Sequence, residues 1–155
     1  MTTPKFALKF FVPLVLALLA LMLTGCTDKW INSYNPAIDM FNKAIARLNK
    51  QLDLVSSDNS QVSNAIWKAD TRAALAALKN SAQTLRTLPA PEDSTLKEVD
   101  VLVKQLGAES LAAVDGYNAV INAEDISLMS APNAHMDEIN KILPQINVLI
   151  EKYNK

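Results

Sequence analysis

From residue 35 onward, apolar residues return at alternating steps of three and four, the spacing that holds one face of an α-helix against a core. The first series is Ile38, Phe41, Ile45, Leu48, Leu52 and Val55. Asn35-Pro36 stands before it as a cap followed by proline at the first helical position, which predicts a helix over 35–57. Asp58-Asn59-Ser60 then reads as a turn. A second series, Ile66, Ala69, Ala73, Leu78, Ala82 and Leu85, predicts a helix over 62–88 that Pro89 and Pro91 stop. Ala73, Ala74, Ala76 and Ala77 favour the helix and keep it thin, so that a neighbour can come close.

The third series is Leu96, Val99, Val103, Leu106, Ala113, Tyr117 and Val120. It starts near Asp93, where Thr95 and Glu98 have the spacing of a capping box. Gly107 lies inside it at a cost of about 1 kcal/mol relative to alanine, so it reads as a point of close packing. Ser110 falls on the stripe and can satisfy its hydroxyl on the carbonyl of Leu106. The fourth series is Met136, Ile139, Leu143, Ile146, Ile150 and Tyr153. Two starts fit it: one near Asp125 with a bend at Pro132, the other near Asn133. Four amphipathic segments joined by short links predict an all-α, up-down-up-down four-helix bundle over 35–155. A three-helix bundle with a loose first helix is the alternative fold.

Ahead of the bundle, residues 1–25 have the parts of an export signal: Lys5 and Lys9, then an apolar run from Phe10 to Leu23 broken only by Pro13. The run is short of the roughly 20 residues of a spanning helix. It ends at Cys26, the one cysteine of the chain. Leu23-Thr24-Gly25-Cys26 resembles the lipobox of bacterial lipoproteins. The resemblance implies cleavage before Cys26, a diacylglycerol on its sulfur and an acylated new amino terminus. A lone thiol in an exported protein would otherwise be an oxidation liability. Acyl chains contribute about 0.8 kcal/mol per buried methylene, and two or more make a stable membrane anchor. Thr27, where enteric lipoproteins retained at the inner membrane carry Asp, implies the outer membrane, facing the periplasm. Residues 26–34 are then a lipidated terminus and short spacer, with Trp30, Ile31 and Tyr34 either at the lipid interface or against the end of the domain.

Removing residues 1–25 leaves 13 basic against 16 acidic residues, a net charge of −3. No basic face large enough for nucleic acid stands out. About 130 residues suit a single domain, and with one cysteine no disulfide can hold it, so its core must.

No motif names a reaction. The acids fall mostly off the apolar stripes, and no Glu is followed three residues later by His, as carboxylate metal sites in bundles require. Nucleophile elbows and phosphate-cradling glycine loops are absent. Exported four-helix bundles that hold haem use a Met on the first helix and a His on the last, which points to Met40 and His135. Counting from the helix ends sets these about 21 Å apart along the bundle, and there is no Cys-x-x-Cys-His for covalent haem. The reading is therefore a protein without cofactor, metal or catalysis, binding or scaffolding at the envelope, with an envelope protein or the cell wall as partner. The alternative is a small-molecule carrier whose pocket lies between helices at Ala73, Ala77, Gly107 and Ala113. For a partner surface the sequence offers Trp67, adjacent to Ile66 and so off the inner face, and Asn140 with Pro144. Pro144 frees the Asn140 carbonyl inside the last helix; the same proline also reads simply as a bend around the core.

Overall fold

The computed structural model describes residues 29–154. The export signal, Cys26 and Thr27 lie outside the described residues. Four helices form the bundle: α1 Lys29–Ser57, α2 Ala65–Arg86, α3 Ser94–Ala123 and α4 Ser130–Tyr153. Short 3-10 turns, Asn59–Ser63 and Ile126–Met129, lead into α2 and α4. The described residues contain no strand.

The second and third helices start where a side chain takes up their free N–H groups. Asn64 accepts from the amides of Ile66 and Trp67 and begins α2. Asp93 accepts from Thr95 and Leu96 and begins α3. The cap of α3 is thus Asp93, not the Thr95–Glu98 box that the spacing offered. Asp125 caps the turn before α4, so the fourth helix starts at Ser130, between the two starts the sequence allowed, with Pro132 in its first turn.

The first helix begins six residues earlier than Asn35-Pro36 predicts. Trp30, Ile31 and Tyr34 are all but fully buried in the core, and the Trp30 and Tyr34 rings stack with centroids 4.7 Å apart. The burial of three large side chains outweighs the lost hydrogen bond at Pro36, which is exposed, so that the carbonyl it frees meets water. The segment read as a spacer is therefore helical from Lys29, and of its two readings the packing one holds.

Close backbone packing joins α1 to α2, α2 to α3 and α3 to α4. Two glycines set how near the last two pairs come. A Cβ on Gly107 would stand 2.8 Å from the Ala82 carbonyl oxygen and 2.6 Å from Arg86 Cγ; one on Gly116 would stand 2.9 Å from Pro132 Cβ. Gly107 is thus the close approach its position implied. Ser110 Oγ donates to the Leu106 carbonyl at 2.7 Å, also as expected. The stripes of α1, α3 and α4 are buried at nearly every position read from the sequence.

The α2 stripe is displaced. Its inner face is Trp67, Thr71, Ala74, Leu75, Leu78, Ser81, Ala82 and Leu85, while Ile66, Ala69 and Ala73 face solvent. In an alanine-rich helix the apolar faces are nearly degenerate, and the largest side chain decides which one turns inward.

Candidate functional site

Trp67 anchors the α1–α2 pair instead of presenting a surface. It is 3% exposed, and its indole Nε1 donates to the main-chain carbonyl of Gln51 at 2.9 Å. Thr71, one turn on, satisfies its own hydroxyl on the Trp67 carbonyl. The partner role read for Trp67 is thereby corrected: a buried indole is no contact surface. Its neighbour Ile66 is the exposed residue, at 74%. Leu54, three residues beyond Gln51 on α1, is 48% exposed. Ile66 and Leu54 thus leave apolar surface at the end of the α1–α2 pair remote from Lys29.

Along the same pair runs an open groove of about 260 Å³ lined by Arg47, Lys50, Gln51, Asp70 and Ala74. Arg47, Lys50 and Asp70 form no ion pair within the bundle, and Gln51 Oε1 is buried without a hydrogen-bond partner. Two cations and one carboxylate beside an apolar edge can receive an amphipathic, mainly acidic segment or a small zwitterion. This groove, with Leu54 and Ile66 at its end, is the candidate site. Sequence reading missed it because Arg47, Lys50 and Asp70 look like ordinary solvated positions until the two helices are placed side by side.

The other two residues that the sequence offered for a partner surface, Asn140 and Pro144, lie on α4. Pro144 is exposed and Asn140 half-buried, and Val148 beyond them is 64% exposed. Lys141 holds Glu138 at 2.6 Å, which raises the lysine's pKa. Asn140 and Pro144 lie on a different helix from the α1–α2 groove, so the structure does not bring the predicted surface residues together.

The carrier's proposed gap does not form. Ala73 faces solvent, and the space beside Gly107 is taken by Ala82 and Arg86.

Met40 and His135 are not separated as helix-end counting predicts. Trp30 Nε1 donates to Asp100 Oδ1 at 3.1 Å, tying the start of α1 to α3. Glu109, nine residues on from Asp100, meets His135 Nδ1 at 2.7 Å. Met40 is ten residues on from Trp30, so it stands at about the height of His135. Direction separates them: Met40 is 50% exposed, while His135 is engaged with α3.

Two tyrosines carry hydroxyls whose pKa burial pushes up, Tyr34 and Tyr117. Tyr117 donates to Asn133 Oδ1 at 2.7 Å, whereas the Tyr34 hydroxyl has no partner. Among the described residues no cluster of His, Cys, Asp and Glu is arranged to hold a metal. Nor is any helix there long and apolar enough to cross a membrane.

No protein-family model, curated protein or solved structure matches this chain.

Proposed function

We propose that this chain is a bacterial lipoprotein, held at the envelope by lipid on Cys26 and facing the periplasm, where its bundle binds or scaffolds a partner without catalysing a reaction. The observation that carries this is the run Leu23-Thr24-Gly25-Cys26 closing an apolar export signal, with the lone cysteine at the cleavage position. The helix at Lys29 leaves only Thr27 and Asp28 between anchor and bundle. A domain attached so closely works beside the bilayer and does not reach far from it. Thr27 favours the outer membrane.

The groove beside Leu54 and Ile66 is the face we assign to the partner, an envelope protein or cell-wall component. Acidic groups would meet Arg47 and Lys50, and apolar ones would meet Leu54 and Ile66. Photo-cross-linking from position 66 in native envelopes tests this. The reading predicts one dominant adduct, lost when Arg47 and Lys50 are both changed to Glu; a diffuse smear unaffected by those changes contradicts it. A small-molecule carrier is the second reading, favoured only by the groove's volume. It predicts a ligand-dependent rise in Tm that Asp70→Ala abolishes.

A further inference from the structure

The groove between α1 and α2 belongs to a longer trough. Arg47 and Asp70 line it from either side, and the helical period carries each ridge onward. Met40 and Leu54 stand seven residues before and after Arg47. Ile66 stands four before Asp70, and Ala73 and Ala77 three and seven after it. Met40, Leu54 and Ile66 are 50%, 48% and 74% exposed. The Trp67–Gln51 bond sets the register of the two antiparallel helices. Leu54 is therefore near the level of Ile66, and Met40 near the level of Ala77. From Leu54 to Met40 the trough runs about 21 Å, or about four turns of a helix.

Its two walls differ. The α1 wall is basic: Lys43 and Lys50 flank Arg47, and of the three only Lys43 is ion-paired, with Asp39. The α2 wall is uncharged apart from Asp70, and Ala73 and Ala77 keep it low, so that the axis of an occupant can come close. Gln51, on the floor, has a side-chain oxygen without a hydrogen-bond partner. The wider charge agrees with the walls. Helices α1 and α2 carry eight basic and three acidic side chains, a net +5. Helices α3 and α4 carry four basic and seven acidic, a net −3.

We propose that the occupant of this trough is one amphipathic α-helix of a partner protein, about four turns long, acidic along the edge that meets α1. This rests on the reading of the groove as the partner face and names the element that fills it. The apolar side of that helix covers Met40, Leu54, Ile66 and the two alanines. Its carboxylates meet Arg47 and Lys50, and a basic residue on its other edge meets Asp70. An extended segment needs a sheet edge to take up its main chain, and the described residues contain no strand; a helix satisfies its own main chain. A second copy docked by a two-fold axis sets Arg47 and Lys50 against their own counterparts. A bilayer is flat and leaves a concave trough unfilled.

The test places photo-cross-linkers at positions 40 and 66 of the full lipidated protein in native envelopes and maps the labelled residues by mass spectrometry. Those positions lie about 18 Å apart along the trough, so a helix lying in it is labelled at residues about twelve apart. The inference predicts that spacing within one segment of one partner, with acidic residues beside the labelled ones. Ala73→Trp, a change at an exposed position, should fill the trough and lower both adducts at least tenfold with Tm unchanged. Labels only about five or six residues apart are the spacing of an extended segment and overturn the inference. So do labels on a second copy, on lipid or on glycan, an adduct from position 66 alone, or adducts that survive Ala73→Trp. No adduct from either position contradicts the partner face itself, and the inference falls with it.

Discussion

Trp67 on α2 reaches across to α1 and places its indole N–H on the Gln51 carbonyl, 2.9 Å away, so that one residue both fills the core and fixes the angle of two helices. Trp67→Phe keeps most of the buried ring and loses the bond, at a cost of about 1 kcal/mol. Trp67→Ala also leaves a cavity, at about 3–5 kcal/mol. Ile66→Ser, on the exposed side, should stay within about 0.5 kcal/mol of the parent. Urea unfolding of the three variants checks the order, and an Ile66→Ser cost equal to that of Trp67→Ala would refute the assignment of faces.

Gly107 and Gly116 separate helix propensity from packing. Alanine in a free helix would gain about 1 kcal/mol at either position. Here the new Cβ meets the Ala82 carbonyl oxygen at 2.8 Å or Pro132 Cβ at 2.9 Å, so the helices must shift, at about 1–3 kcal/mol. Both substitutions should therefore lower Tm. A rise for either would mean that α3 has room its neighbours do not show.

Acid should loosen one end of the bundle first. Three carboxylates stand there with pKa values below the usual range: Asp58, held by Ser60 and Gln61; Glu124, held by Lys68 at 2.5 Å and by Ser63; and Asp125, held by Ser127. A carboxyl with a depressed folded-state pKa contributes stability above its unfolded value, near pH 4, and loses it as pH falls through the folded value. All three are exposed, which keeps each contribution small. The amides of Ser60 and Ser127, which donate to Asp58 and Asp125, should lose protection on acidification before those of α3. Exchange measured by NMR down the pH scale reads this directly, and protection at both serines that outlasts α3 would contradict it.

The helices were legible because apolar spacing and helix geometry obey one period. Ile38 to Val55, Leu96 to Val120 and Met136 to Ile150 lie buried as that period requires. Where it failed, a second force decided. At Asn35-Pro36 the local cap signal lost to the burial of Trp30 and Tyr34. At Ile66-Trp67 two adjacent apolar residues could not both turn inward, and alanines on all sides left the choice to the larger ring. The groove was illegible because Arg47, Lys50 and Asp70 acquire their relation only when α1 and α2 pack.

The account depends most on the tether just ahead of Lys29, and intact mass spectrometry of the protein extracted from bacterial membranes tests it most directly. The account predicts a chain that begins at Cys26 and carries the added mass of diacylglycerol and an amide-linked acyl chain, and a Cys26→Ser form that lacks that mass and leaves the membrane fraction. A chain that begins elsewhere, or one that begins at Cys26 with a bare thiol, would contradict it.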